Sequence, residues 1–182
     1  MSGRNNSGAS AVFVSLGGNL GDPAASMGKS LRMLDEDADT TVVRVSSLYR
    51  TPPWGKTDQP DFLNAAAELS TTLAPRGLLD LCLEIERRLK RVREERWGPR
   101  LIDVDILVFG DRAIHEVGLD VPHPRMLERA FVLAPLAEIA PGLVVAGRSV
   151  SERLAAMDAA GIERLSTGQG WWRAGNSASP AA

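Results

Sequence analysis

The chain has 182 residues, of which 44% are hydrophobic and 24% are charged, and its formal net charge is −2. This length suits one domain, and this apolar fraction is typical of a globular protein rather than a disordered one. The small net charge argues against a nucleic-acid binder held by bulk charge. The single cysteine, Cys82, excludes an intrachain disulfide and a cysteine-rich zinc site.

The ends of the chain and its longest apolar stretch bear on its domains and location. Residues 1–10 are polar, lack the apolar core of a signal peptide and predict a flexible N-terminus. The apolar stretch at 130–147 is broken by Pro135, Glu138, Pro141 and Gly142, so it does not predict a membrane span. We therefore expect a cytoplasmic protein with one domain over 11–166 and a flexible tail over 167–182, which the Trp171–Trp172 pair interrupts.

Hydrophobic periodicity and turn residues predict the elements in chain order. The first half gives a strand over 11–16, a glycine-rich turn over 17–22 and a helix that begins at Asp22-Pro23. A strand over 41–48, a loop over 49–61 and a strand over 62–72 follow. The second half gives a helix from Pro75, a charged loop over 91–100 and a strand over 101–109. A helix over 126–139, kinked at Pro135, and a helix behind a Ser149/Glu152 capping box follow. The order β-α-β-β-α-β predicts an α+β, ferredoxin-like core with a mostly antiparallel sheet, both helices on one side, and additional C-terminal elements.

The most informative motif is the run IDVDI that begins at Ile102. Because alternate residues of a strand share a face, Asp103 and Asp105 point the same way, with Cα atoms about 6.5–7 Å apart, while the aliphatic residues face the core. Two such carboxylates can hold one Mg²⁺ jointly or two separately. The alternative is an exposed strand face with two solvated acids, although aspartate is disfavoured in strands.

A basic loop precedes the acidic strand. Four arginines and a tryptophan fall within ten residues: Arg91, Arg93, Arg96, Trp97 and Arg100. Phosphoryl transfer needs a metal to orient the phosphates and guanidinium groups to stabilise charge in the transition state. The alternative is a solvated loop whose arginines pair with its own glutamates.

Two further clusters are candidates for ligand binding. Phe62 and Asn64 share a strand face, where a ring can stack on a flat heterocycle and an amide can read its edge. They follow the loop Thr51–Gly55, whose backbone groups regular structure cannot all satisfy. Arg129 lies one helical turn after Arg125, behind His123 at a helix entrance that could contact phosphate. The alternatives are a core phenylalanine, a turn asparagine and a solvated helix start.

Together these segments resemble the 6-hydroxymethyl-7,8-dihydropterin pyrophosphokinase family of folate biosynthesis. The matching runs span nearly all of 12–141 in order: SLGGNLGD, SSLYRTPPWG, QPDFLNAA, RVREERWGPRLIDVDIL and VPHPRMLERAFVLAPLAEIAP. The resemblance implies a ferredoxin-like fold and an enzyme that transfers the terminal pyrophosphate of MgATP to the hydroxymethyl group of the dihydropterin, releasing AMP.

The same resemblance implies roles for individual residues. It implies two Mg²⁺ ions on Asp103 and Asp105. The residues expected to bind the pterin, with the two phenylalanines on either side of its ring, are Thr51, Pro52, Trp54, Phe62, Asn64, Asp103 and Phe131. Those expected to bind ATP are Arg91, Arg93, Arg96, Trp97, Arg100, Ile106, His123 and Arg129. Arg91 and Arg100 join the two aspartates as expected catalytic residues.

Two other function classes remain open from the residues alone. Another two-metal phosphotransfer enzyme, such as a nuclease, would use the same carboxylates but would show a broader basic face. The other is a non-catalytic ferredoxin-like binding module for RNA or a small effector; an RNA-binding module would expose aromatic residues on its sheet, and no such pattern is present. We expect ATP and the dihydropterin as small-molecule partners, no nucleic acid, no membrane, and a monomer.

Overall fold

The computed structural model describes residues 8–53, 55–89, 101–165 and 170–174. The strands are β1 (Ser10–Gly18), β2 (Thr40–Val45), β3 (Tyr49–Thr51), β4 (Phe62–Thr71), β5 (Asp103–Phe109), β6 (Ile114–Glu116), β7 (Leu119–Val121), β8 (Val144–Val145), β9 (Arg148–Ser149) and β10 (Glu163–Arg164). The helices are α1 (Pro23–Glu36), α2 (Pro75–Arg88), a 3₁₀ turn (Met126–Glu128), α3 (Ala130–Ile139) and α4 (Val150–Ala155).

The main sheet has β1 and β4 at its centre. β1 pairs with β4 on one side and β5 on the other, and β4 pairs along its outer edge with both β2 and β3. β10 extends the sheet beyond β3, and every pairing is antiparallel. The order β5-β1-β4-β2 confirms the predicted ferredoxin-like core, and β3 and β10 are additions to it.

The two helices of the core lie on one face of the sheet, as predicted. Asp22 caps α1 by accepting a hydrogen bond from the Ala25 amide at 3.0 Å, and Pro23 opens the helix. Met27, Leu31 and Leu34 follow at helical spacing, so one side of α1 is buried in the main core. Alpha-helix α2 buries Leu78, Cys82 and Ile85 in the same core.

The opposite face of the sheet carries a second, smaller core under α3. It joins Phe13 and Ala66 of the sheet to Leu133 and Leu136 of α3. α3 covers only part of this face, and Asn64 and Asp103 lie on the face outside this smaller core. The predicted helix over 126–139 is wrong at its start. A 3₁₀ turn comes first, and Arg129 between this turn and α3 is extended, with φ −118° and ψ 101°.

The region between β2 and β4 also differs from prediction. The sequence predicts a strand over 41–48 and a loop over 49–61, but β2 ends at Val45 and the loop's first three residues, Tyr49–Thr51, form β3. A three-residue strand is too short for alternation to reveal, and three prolines dominate the segment.

The junction between β2 and β3 contains one extra residue. Val45 lies opposite Ala67 and Tyr49 lies opposite Asn64, so four steps along the outer chain match three along β4. A one-residue shift exchanges the faces to which side chains point. The junction Ser46–Leu48 thereby places Tyr49 on the face of Asn64.

The described part of the C-terminal region packs onto this core. Trp172 is buried in the main core, its carbonyl accepts a hydrogen bond from Arg32, and the Trp171 indole donates to the Ser46 carbonyl at 2.9 Å. The capping box of Ser149 and Glu152 is confirmed, with both of its hydrogen bonds present. The predicted domain bounds stay a prediction. Within the described residues, no helix is long and apolar enough to cross a membrane.

Candidate active site

The two predicted metal ligands lie next to each other on one strand face. In β5, Asp103 and Asp105 are half-buried while Val104 and Ile106 between and after them are buried in the main core. The strand alternates because one side packs on α1 and α2, which leaves the carboxylates on the side of α3. The structure thus places both carboxylates together, as the sequence predicts.

A row of residues runs across the sheet from these aspartates. Gly17 of β1 pairs with Asp103 on one side and with Asn64 of β4 on the other. Two strand spacings put the backbones of Asp103 and Asn64 about 10 Å apart. Gly17 has no side chain between them, and a Cβ there would come within 3.0 Å of Asn64 Oδ1. The row therefore forms a shallow floor with polar groups at both ends.

The Asn64 end of the floor is tied to β3. Asn64 Nδ2 donates to Thr51 Oγ1 at 2.8 Å, and both residues are buried. No described residue donates a hydrogen bond to Asn64 Oδ1, although Asn64 is only 8% exposed. A buried amide oxygen of this kind favours a ligand that brings an N–H group.

Aromatic rings flank the floor. Phe62 begins β4, lies opposite Thr51 and shares the face of Asn64. Phe131 lies in the first turn of α3 and is half-buried, and the Arg129 guanidinium carbon lies 5.7 Å from its ring centroid. The two phenylalanines come from a strand and from the helix that covers the same face, which suits a planar ligand between them.

His123 joins this face through the backbone of β5. Its amide donates to the Leu107 carbonyl at 2.8 Å, and its Nδ1 accepts from the Arg125 amide at 3.2 Å. Burial lowers the pKa of His123, and the charges of Arg129 and Arg125 lower it further, while Asp105 opposes them. The lowered pKa favours the neutral imidazole, in which Nε2 carries the proton because Nδ1 accepts a hydrogen bond.

One functional candidate was missed by sequence reasoning. Glu86 of α2 is 4% exposed, and its Oε1 accepts the Val104 amide at 2.8 Å, between the two aspartates. β5 lies at the edge of the sheet formed by the described residues, so this outward-facing amide has no strand partner among them and Glu86 supplies the acceptor. The sequence feature that could have revealed it is a glutamate on the apolar side of α2, one turn after Cys82. Burial, together with the charge of Glu86, raises the pKa of Cys82 to about 12.

The remaining predicted residues fall into two groups. The side chain of Ile106 lies in the main core on the opposite face, so only its backbone could reach a nucleotide. Pro52 is exposed beside β3 and follows Thr51 as expected. The others lie outside the described residues: Trp54, Arg91, Arg93, Arg96, Trp97 and Arg100.

The donor set fits magnesium. Among the described residues, no three or more His, Cys, Asp or Glu side chains are grouped as a metal cage. Mg²⁺ usually binds one or two carboxylates and completes its octahedron with water and substrate phosphates. A pair of aspartates at an open sheet face has that character, whereas a structural zinc site would not.

Comparison with known proteins agrees with this site. The family described as 7,8-dihydro-6-hydroxymethylpterin-pyrophosphokinase (HPPK) matches residues 13–141. Proteins named 2-amino-4-hydroxy-6-hydroxymethyldihydropteridine pyrophosphokinase are 51% identical in Methylorubrum extorquens, over 85% of this chain and 98% of that protein, and 47% identical in Pseudomonas aeruginosa, over 85% and 96%.

Solved structures agree in fold. A Plasmodium falciparum HPPK-DHPS wild-type chain superposes with a TM-score of 0.66 at 15% identity, over 85% of this chain and 44% of that one. The chain thus spans less than half the length of that solved protein. None of these matches favours a nuclease or an RNA-binding module. Because the family match covers β2 to β7, both core helices, α3 and all but the start of β1, the chain belongs to the 7,8-dihydro-6-hydroxymethylpterin-pyrophosphokinase family.

Proposed function

We propose that this chain transfers pyrophosphate from ATP to the hydroxymethyl group of 6-hydroxymethyl-7,8-dihydropterin, a step of folate biosynthesis. Family membership supports this activity. The observation that carries it in the structure is the row Asn64–Gly17–Asp103. In this row the Asn64 amide, which would read the heterocycle, lies about 10 Å from carboxylates suited to magnesium phosphate, and Gly17 between them has no side chain.

The Asn64 end of the row supplies the pterin site. A flat ring between Phe62 and Phe131 would bury two aromatic faces, and Asn64 Oδ1 would accept from an N–H of the ring. Thr51 Oγ1 holds the amide so that this oxygen faces the floor. The roles of Pro52 and Trp54 at the ring edge are part of the same proposal.

The Asp103 end supplies the phosphate site. Asp103 and Asp105 would hold two Mg²⁺ ions, with Asp103 nearer the pterin because it shares the row of Asn64. Bound Mg²⁺ neutralises phosphate charge and orients the transferring group. Arg129 and the neutral imidazole of His123 would contact ATP from the side of α3. The same proposal assigns ATP contacts to Arg91, Arg93, Arg96, Trp97 and Arg100.

The reaction needs no covalent enzyme intermediate. The pterin hydroxyl oxygen attacks the β-phosphorus in line, the bond from that phosphorus to the α-phosphate oxygen breaks, AMP leaves, and the hydroxyl proton is lost to solvent. Alignment and charge neutralisation lower the barrier. The single thiol, Cys82, is fully buried in the main core and is no candidate for a nucleophile.

Product analysis tests the activity. The protein is incubated with MgATP and the dihydropterin, and AMP is separated from ADP. Pterin-dependent AMP supports pyrophosphoryl transfer, while ADP would indicate ordinary kinase chemistry. GTP and RNA in place of the substrates serve as controls for the other function classes.

Replacing one carboxylate tests the metal assignment. Asp103→Asn or Asp105→Asn keeps the size of the side chain but removes its charge, so we expect kcat/KM to fall at least about a hundredfold with the fold intact. Asp111→Asn, an exposed aspartate beyond the end of β5, is the matched control. Turnover near the wild-type rate in either active-site variant would contradict the assignment.

The remaining proposals concern assembly and location. We infer a monomer in the cytoplasm with no nucleic-acid or membrane partner. The net charge of −2 supports the absence of bulk nucleic-acid binding. Light scattering after size-exclusion chromatography measures the mass directly, and a dimer mass would contradict the inference.

A further inference from the structure

Glu138, in the last turns of α3, accepts an unusually large set of hydrogen bonds. Its carboxylate accepts from the Ser47 amide at 3.1 and 3.2 Å, from Ser47 Oγ at 2.9 Å and from the Tyr49 hydroxyl at 2.7 Å. Arg164 of β10 donates to it at 3.1 Å. The Glu138 side chain is 20% exposed, and Ser47 and Tyr49 are buried. One carboxylate thus joins three separate elements.

These bonds hold the segment in which β2 passes into β3. The extra residue in that junction decides which face the β3 side chains occupy, as the pairing of Tyr49 with Asn64 shows. Ser46 is fixed from the other side, because its amide donates to the Ala66 carbonyl and the Trp171 indole donates to its own carbonyl. Glu138 completes this fixation at Ser47 and Tyr49.

The same carboxylate links the two sides of the proposed pterin site, which are the strand that carries Thr51 and the helix that carries Phe131. Tyr49 lies two residues before Thr51 on one strand face, and Thr51 holds Asn64. Glu138 lies seven residues after Phe131 on α3, about two turns along the helix axis. A bond between Glu138 and Tyr49 therefore joins the strand that carries Thr51 to the helix that carries Phe131.

Burial makes the bonds hard to replace with water. Burial, with Glu138 as hydrogen-bond acceptor, raises the pKa of Tyr49, so the hydroxyl stays a donor over the whole working range. Arg164 compensates the charge of Glu138 and also donates from Nε to Ser47 Oγ at 3.1 Å. Removing the carboxylate would leave buried donors without an acceptor.

We propose that Glu138 is a positioning residue of the pterin site, which docks α3 onto the start of β3 and so fixes Thr51 and Asn64 relative to Phe131. The proposal rests on the proposed function for the identity of the ligand. It assigns Glu138 no contact with substrate. It adds the last turns of α3 and Arg164 of β10 to the residues that support the site.

The test separates pterin binding from ATP binding. Tyr49→Phe removes one donor and keeps the ring, and Glu138→Gln keeps the shape and removes the charge. We expect each to raise the pterin KM by on the order of tenfold with the ATP KM unchanged within about twofold. Glu138→Ala should raise the pterin KM more than Glu138→Gln does, because glutamine retains one acceptor. Glu152→Gln, which alters the cap of α4, is the matched control.

Amide hydrogen exchange gives a second readout that does not depend on turnover. In Tyr49→Phe and Glu138→Gln, amides of the β3–β4 ladder should exchange at least several-fold faster, while those of the β1–β4 ladder stay unchanged. Equal rises in both KM values, no rise in either, or unchanged β3 exchange in a folded variant would overturn the proposal. A wild-type protein without pterin-dependent AMP would overturn the proposed function instead, and the exchange data alone would then decide the role of Glu138.

Discussion

At the scale of single residues, the site depends on what Gly17 lacks. Its strand position allows ordinary side chains, but a Cβ would meet Asn64 Oδ1 at 3.0 Å and the Leu63 carbonyl at 3.5 Å. The contact with the carbonyl is an ordinary one, but the contact with Oδ1 is tight, so the Asn64 amide would have to move. Thr51 opposes that movement through its 2.8 Å bond.

Gly17→Ala should therefore weaken pterin binding more than it weakens the fold. We expect the pterin Kd, measured by calorimetry, to rise about tenfold or more, with ATP affinity little changed. Gly142→Ala, where nothing lies within 4 Å of an added Cβ, is the control. Pterin affinity equal to wild type in Gly17→Ala would contradict a floor that runs over this residue.

The lowered pKa of His123 predicts a pH dependence of stability. Between its folded pKa and the unfolded value near 6.5, the unfolded chain binds more protons than the folded chain. The free energy of unfolding should thus fall as pH falls through that window and recover above it. Urea titrations from about pH 5 to 8, without metal or nucleotide, measure this slope. His123→Gln should flatten it, and an unchanged slope in that variant would contradict the burial of His123.

At the scale of elements, helix starts follow local chemistry and strand ends follow their neighbours. α1 starts where Asp22 caps it and α4 starts at its capping box, both readable from a few adjacent residues. β3 exists because the edge of β4 offers partners to Tyr49–Thr51, and β2 stops because of the extra residue in the junction. Those causes lie outside the segment itself.

The cap of α1 should carry a measurable share of stability. Asp22→Ala removes the acceptor of the Ala25 amide, so we expect the free energy of unfolding to fall by about 1 kcal/mol. Urea denaturation measures the change, and Glu36→Ala at the exposed end of the same helix is the control. A loss no larger than the control's would show that the cap is dispensable.

At the scale of the whole molecule, the sheet separates two cores of different purpose. The core under α1 and α2 is the larger and includes Trp172 from the C-terminal region, far along the chain from its partners. The core under α3 leaves the row of Asn64 and Asp103 uncovered at one end. The larger core thus lies on one face of the sheet and the proposed ligand site on the other.

Cys82 reports on the opening of the larger core. Its thiol is fully buried, and its pKa of about 12 leaves very little thiolate near neutral pH. We expect alkylation by iodoacetamide at pH 8 to be slow in native protein and to accelerate in parallel with unfolding in urea. Mass spectrometry follows the single adduct. Fast labelling of native protein would contradict a closed core around α2.

The sequence by itself determined the core fold and the placement of Asp103 and Asp105 on one strand face. Alternation in β5 follows from the residues themselves, and so do the spacing in α1 and α2 and the carboxylates that share a face. Only the tertiary structure decided which residues from distant segments contact one another. β3 needed the edge of β4, Glu86 needed an edge amide of β5, and Glu138 needed a partner strand almost ninety residues away. Local patterns fix which side a residue faces, whereas contacts between distant segments depend on how the faces pack.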